Sequence, residues 1–212
     1  VLDIGCGDGL FFDQLAAFGN SVQGIEPAAD LVSEDPARRS RIHIGPFDES
    51  YRPDRSFQLV VMLDVLEHLD DPVGALRHAL SLLEPSGVFL ATVPAFESLW
   101  TTHDDINEHR VRYTKRAFRR LAGAAGLQLD RLEYFFHWTY PVKRAQHLLE
   151  SLTRPSPTPI RVPWAPLNSG LRMLSRLERS VTARWNLPFG SSLLAVGHRA
   201  PVADAADPSG GA

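Results

Sequence analysis

Apolar-rich runs and helically spaced apolar positions alternate along the first half of the chain. Residues 1–4, 21–25, 41–44, 57–62 and 87–93 read as strands, with short connections between them. Phe11, Leu15 and Phe18 give residues 10–18 a helical stripe, and a further helix is predicted over 72–83, with Pro72 at a tolerated first-turn position. Alternating strands and helices predict an α/β fold with a parallel sheet. After residue 94 the alternation loosens. Thr114 is placed to cap a helix in which Phe118, Leu121, Ala122 and Ala125 recur at i, i+3, i+4 and i+7, and Gly126 closes it. Residues 127–138 then read as a sixth strand and 191–198 as a final one. Between them lie amphipathic helices near 142–152 and 168–184, separated by Pro155, Pro157, Pro159, Pro163 and Pro166, a density that argues against regular structure there. The expected organisation is an α/β core over 1–138, a helical cap over 139–188, a core strand over 189–199 and a disordered tail over 200–212.

Composition narrows the function classes. With 212 residues and 44% hydrophobic content, the chain can bury one sizeable core. Its 22 basic and 25 acidic residues leave a formal net charge of -3, so no global basic field favours nucleic acid. The single cysteine, Cys6, rules out a disulfide framework and fits a reducing, cytoplasmic setting. No apolar run reaches the roughly 18 residues of a membrane span, and no signal peptide precedes the first strand. Because the sequence opens inside a strand without an initiator methionine, a further N-terminal segment is expected.

The first strand runs into Gly5, Gly7 and Gly9, a turn that permits positive φ and close approach of a ligand to the backbone. The dinucleotide fingerprint places its third glycine one residue later and holds a diphosphate. Here Asp8 stands where a diphosphate would be repelled, while Asp3 and Asp8 suit a ligand carrying an amino group. Glu26 ends the second strand about twenty residues beyond the turn, where a ribose-binding carboxylate belongs, and Pro27 shapes the adjoining wall. Cys6 reads as a small packing residue, since nothing near it in sequence would lower its pKa.

On residues 1–9 and Glu26 the chain resembles the class I S-adenosylmethionine-dependent methyltransferases. The resemblance implies a Rossmann-like sheet of seven strands, the last antiparallel, with a helical insertion near the C-terminus. It also implies S-adenosylmethionine as cofactor: the glycine turn around its methionine part, Asp3 near its ammonium, Glu26 on the ribose and Asp48 on the adenine amino group. Leu63 and Asp64, just after the fourth strand, complete the implied cofactor wall. A nicotinamide-dependent oxidoreductase and a non-catalytic cofactor-binding scaffold stay open as alternatives.

The stretch from Met62 to Pro72 contains Asp64, Glu67 and His68, which share a face if they form a helical turn. This stretch resembles the ubiquinone-biosynthesis-type O-methyltransferases, in which the matching acids and histidine have been linked to a metal; the residues themselves fix no metal ligand. The proline-rich signature of amino-methylating nucleic-acid enzymes is missing after the fourth strand. A second polar stretch, from Trp100 to Tyr113, follows the fifth strand and is placed to hold an acceptor. His103 and His109 there, with His68, are the candidate catalytic bases for a small-molecule acceptor, aromatic, lipid-like or lipid-linked. Arg172, Arg176 and Arg179 fall on one side of the 168–184 helix, opposite Leu171, Leu174 and Val181. That helix can pack its apolar row on the core or on a second subunit, or rest peripherally on an anionic membrane.

Overall fold

A computed structural model describes residues 1–19, 21–153, 164–182 and 185–201. The chain runs through β1 (Leu2–Ile4), α1 (Phe12–Leu15), β2 (Gln23–Glu26), α2 (Pro36–Arg39), β3 (Ile42–Ile44), β4 (Phe57–Leu63), α3 (Pro72–Ser81) and β5 (Leu83–Pro94). It continues through α4 (Thr102–Ile106), α5 (Lys115–Ala125), β6 (Leu127–Phe135), α6 (Thr139–Thr153), α7 (Ala165–Thr182) and β7 (Ser192–Arg199). The seven strands form one sheet in the order β3-β2-β1-β4-β5-β7-β6. All pairs are parallel except those of β7, which runs antiparallel to both β5 and β6. This is the expected class I methyltransferase architecture.

Alternation along the strands sends side chains to two cores. Val60 and Met62 of β4, with Phe89, Ala91 and Val93 of β5, meet Leu76 and Leu80 of α3 and Phe118, Leu121 and Ala122 of α5. Val61 points the other way, into a smaller cluster with Phe12, Leu15, Val22 and Val32. The two helices of the larger core, α3 and α5, carry boundary signals of their own. Asp71 accepts from the Gly74 N–H at 2.9 Å and Pro72 opens α3; Thr114 accepts from the Ala117 N–H at 3.2 Å, and Gly126, at φ 83°, ends α5 in the left-handed region.

Three readings of the sequence are corrected. The first helix buries Phe12 and Leu15, while Phe11 and Phe18 are 46% and 69% exposed. The helix lasts a single turn before tightening to a 3-10 turn, so a stripe started at Phe11 has no continuation. Phe12 also has a socket: a Cβ on Gly24 would lie 2.8 Å from its ring and 2.3 Å from Cys6 Sγ. Second, α7 begins at Ala165, so Pro166 sits in its first turn rather than in a linker; the other linker prolines lie outside the described residues, as does the tail from residue 202.

The third correction concerns the cap. Leu171 is half-buried on the inward side of α7 beside Ser175, Glu178 and Thr182, whereas Leu167, Met173, Leu174, Leu177 and Val181 are exposed. The inner row is therefore mainly polar and the apolar row faces outward. α6 repeats this arrangement, with Lys143, His147 and Glu150 inward and Val142, Leu148, Leu149 and Leu152 outward. The inner rows dock through hydrogen bonds, which is why the helices can turn their apolar rows away: Glu150 of α6 accepts from the Thr102 N–H at 2.8 Å, and Glu178 of α7 accepts from the Trp138 N–H at 3.1 Å.

Candidate functional site

The glycine turn leaves β1 at the carboxyl edge of the sheet, where open α/β sheets place their ligands. Gly5, Gly7 and Gly9 all take positive φ, 73°, 54° and 73°. A Cβ on Gly5 would meet Val65 Cγ2 at 2.5 Å, whereas one on Gly7 would meet nothing within 4 Å. On the side where a side chain would stand, Gly5 is blocked by Val65, although the residue itself is exposed, and Gly7 is clear. Beneath the turn, Glu26 accepts from the Gly7 N–H at 2.9 Å and the Ala28 N–H at 3.0 Å. Asp3 is buried beside it, its carboxyl pushed up to about 7 by burial and then by the negative charge of Glu26. Two buried carboxylates next to a bare backbone form a pocket edge suited to a cation and to hydroxyl donors. Cys6 is raised to about 12, first by burial and then by Asp3, which agrees with packing against Gly24 and not with a nucleophile.

The other expected cofactor residues divide. Pro27 is exposed just beyond Glu26, and Leu63 is half-buried at the end of β4. Asp48 is exposed in the loop after β3, where its Oδ1 accepts from the Ser50 N–H at 2.8 Å; the Ser50 hydroxyl first, and then this N–H, hold its carboxyl below the usual range. Its tie is to its own turn; among the described residues no hydrogen bond joins it to Asp3 or Glu26.

β1 and β4 are neighbours, with Ile4 opposite Met62, so the segment after β4 lies against the glycine turn. There the structure gathers all three histidines singled out above. A cavity of about 360 Å³ is lined by Asp64, Glu67, His68, Pro94, His103, Asn107, His109, Arg112, Lys143 and Ser192. The His68 and His109 rings meet edge to face, centroids 4.8 Å apart. Burial, then the nearby His109, lowers the His68 pKa; burial, then Lys143, lowers that of His103, which pairs with Asn107 at 2.9 Å.

Asp104 organises this cavity from beneath. It is fully buried and takes Arg112 in a two-pronged pair, Nε to Oδ1 at 2.8 Å and Nη2 to Oδ2 at 2.9 Å, together with the Thr101 N–H at 2.8 Å. His109 Nδ1 lies 2.8 Å from Asp104 Oδ1. Burial alone would raise the Asp104 carboxyl, but the bonds from His109 and Arg112 hold it well below the usual range. A charged carboxylate only accepts, so the neutral His109 ring carries its proton on Nδ1 and presents Nε2 as a base. This Asp-His pairing gives His109 an orienting partner.

Asp64, Glu67 and His68 do not form the shared helical face read from their spacing. Leu66–His68 is a 3-10 turn, and Asp64 precedes it in the left-handed region at φ 54°, bonded to Thr92 Oγ1 at 3.3 Å. The three donors that converge are Glu67, His68 and His109, with ligand atoms within 4.8 Å of one another. Glu67 is fully buried, neither of its oxygens finds a partner among the described residues, and burial followed by the charge of Asp64 pushes its carboxyl up to about 8. A divalent cation fits such a donor set, since it would supply the partner that both orphaned oxygens lack. Spacing missed Asp104, Arg112, Asn107 and Lys143, although Thr101 and Asp104 do carry the spacing of a capping box, which they form.

Comparison with known proteins follows the same lines. Residues 1–155 match the family model described as a methyltransferase domain. The mitochondrial ubiquinone biosynthesis O-methyltransferase of Candida albicans is 32% identical over 124 residues, covering 53% of this chain and 38% of that protein. The ubiquinone biosynthesis O-methyltransferase of Xanthomonas euvesicatoria pv. vesicatoria is 36% identical over 104 residues, 44% of this chain and 42% of that one. The chain thus spans about two fifths of the length of the curated relatives it matches. Among solved structures, a SAM-dependent methyltransferase from Archaeoglobus fulgidus superposes with a TM-score of 0.58 at 18% identity, covering 92% of this chain and 84% of that one.

Proposed function

The chain belongs to the methyltransferase-domain family, and from that premise we propose that it transfers a methyl group from S-adenosylmethionine to the hydroxyl of a small-molecule acceptor. The observation that carries this reading is the pair of buried carboxylates, Asp3 and Glu26, beside the open backbone of Gly7. Asp3 takes the ammonium group, the turn over Gly5, Cys6, Gly7 and Gly9 follows the methionine part, and Glu26 takes the ribose hydroxyls. Pro27, Leu63 and Asp64 wall the cofactor, and Asp48 reaches the adenine amino group once it gives up Ser50. When bound, the cofactor supplies a methyl group on a positively charged sulfur that is already a good leaving group.

What remains for the protein is alignment, worth about 7–11 kcal/mol in favourable cases, and removal of one proton. His109, oriented by Asp104, is the base for the acceptor hydroxyl; His68 and His103 flank it. The metal implied by the ubiquinone-type resemblance would be held by Glu67, His68 and His109; His109 Nε2 would then be a ligand in place of the base, and the ion would lower the pKa of the acceptor hydroxyl as a Lewis acid. Titration with S-adenosylmethionine and its demethylated product, followed by a labelled-methyl screen over candidate acceptors, tests the reading. Asp3→Ala and Glu26→Ala should each weaken cofactor binding at least tenfold; equal binding by wild type and both variants would sink the assignment.

The outward apolar rows of α6 and α7 favour a further reading, that the acceptor is collected from an anionic membrane on which the cap rests. Trp164 and Trp185, 70% and 63% exposed, flank α7 as interfacial aromatics do. No helix among the described residues is long and apolar enough to cross a membrane. Co-sedimentation with anionic vesicles, weakened by salt and by triple Arg→Ala replacement at Arg172, Arg176 and Arg179, supports it. Dimerisation through the same face without vesicle binding would assign that face to a second subunit instead.

A further inference from the structure

We propose that Lys143, reaching from the cap into the histidine-lined cavity, binds a carboxylate on the acceptor, so that the end of the acceptor held there is a hydroxy acid. The inference rests on the methyl-transfer reading of that cavity as the acceptor's site. At about 360 Å³ the cavity is within the size range of small-molecule sites, roughly 300–1,000 Å³. Apart from Pro94 its lining carries polar or charged side chains, which suit a polar group and not a hydrocarbon.

The inner row of α6 docks on the core through specific bonds: His147 Nδ1 meets the Trp100 carbonyl, and Glu150 accepts from the Thr102 N–H. Lys143 belongs to the same row and lines the cavity. Yet among the described residues no hydrogen bond holds its ammonium, and no carboxylate oxygen lies within 4.0 Å of Nζ. A lysine is seldom drawn in from water without a partner. Unlike the sealed oxygens of Glu67, Nζ keeps accessible surface. The charges acting on it come from Arg112, Asp104 and Asp64, and it acts in turn on His103. All four lie in the cavity wall or beneath it, which puts the ammonium on the cavity side of α6.

The other charged groups of the lining are already engaged. Arg112 gives Nε and Nη2 to Asp104 and Nη1 to the Ala95 carbonyl. His109 is turned to Asp104 and His103 to Asn107, while His68 packs edge to face on His109. Asp64 accepts from Thr92 Oγ1 and feels Lys143 only from beyond 4.0 Å. A lysine that merely covers apolar surface carries its ammonium out to water, whereas this one is half-buried among polar groups. An ammonium with room beside it calls for an anion, which would also favour its charged form. Because Asp64 already turns a carboxyl toward it, a singly charged carboxylate suits the space better than a doubly charged phosphate.

The test titrates the full chain, without S-adenosylmethionine, with lactate, mandelate and 3-hydroxyphenylacetate, each against its own amide, which keeps the shape and the hydroxyl but not the charge. At least one acid should bind at least tenfold more tightly than its amide, and that acid alone of the pair should move the ¹³Cε resonance of Lys143. In Lys143→Gln the preference should vanish. No preference in any pair, a Lys143 resonance that ignores the preferred acid, or a preference that survives in Lys143→Gln each overturns the proposal. The resonance is read in the wild-type chain, so it decides even if the variant fails to fold. A chain that binds S-adenosylmethionine but prefers no acid keeps the methyl-transfer reading and loses this one. A chain that prefers an acid through Lys143 but ignores S-adenosylmethionine loses methyl transfer and keeps the carboxylate site.

Discussion

α5 and α7 are both amphipathic, yet they attach to the molecule in opposite ways. α5 buries Phe118, Leu121, Ala122 and Ala125 against the sheet, so its place is set by apolar area removed from water. α7 turns Leu167, Leu174, Leu177 and Val181 to solvent and offers the body Ser175, Glu178 and Thr182. A non-directional force that scales with area holds the first helix; directional bonds worth about 1 kcal/mol each hold the second. The difference separates a scaffold that must not move from a cap that can be displaced cheaply, and the candidate site lies between them, with Asp64 and His68 on the scaffold side and Lys143 on the cap.

The contrast can be broken at several points. Phe118→Ala should cost about 3–5 kcal/mol in denaturant unfolding, the usual loss for a buried aromatic. Asp3→Asn should stabilise, and only in one pH range. The wild-type carboxyl is held at about 7 when folded, so the folded state binds the extra proton and wild-type stability falls as pH rises from about 4 toward 7. The variant escapes that loss, and its advantage should be absent at pH 4 and on the order of 4 kcal/mol at pH 8. Asp104→Asn leaves the buried Arg112 without its counter-charge and should cost about 3 kcal/mol; a negligible loss would mean that water reaches the loop. Glu150→Ala removes the acceptor of the Thr102 N–H and should raise hydrogen exchange across α6 at a global cost of about 1 kcal/mol. Leu177→Ala should change stability by less than about 0.5 kcal/mol. A loss approaching that of Phe118→Ala would show the outer face of α7 to be covered in solution.

The sheet was legible because apolar runs bounded by turn residues leave little choice of strand, and α5 because Thr114 and Gly126 mark both of its ends. The glycine turn was legible because Gly5, Gly7 and Gly9 permit a positive φ that other residues rarely adopt, a local property independent of the rest of the fold. The shift from Phe11 to Phe12 was hidden because the socket belongs to Gly24, on a neighbouring strand. Periodicity located the apolar row of α7 but carries no information about which side meets the body, which here is decided by polar partners such as His137 and Trp138. Spacing likewise offered Asp64 as the third member of the Glu67 and His68 group. A 3-10 turn in place of an α-helical one and a buried Arg112–Asp104 pair deliver His109 instead, and neither could be seen without the tertiary structure.

The antiparallel pairing of β6 with β7 brings Phe135 opposite Ser192, so the two ends of the cap segment meet across a single strand spacing. The segment is therefore an insertion at the tip of a hairpin, and a short turn could close that hairpin without disturbing the order of the strands. Under the proposed function, insertions of different length and polarity could be exchanged at this one seam to change the acceptor, with Asp3, Glu26 and the glycine turn left as they are.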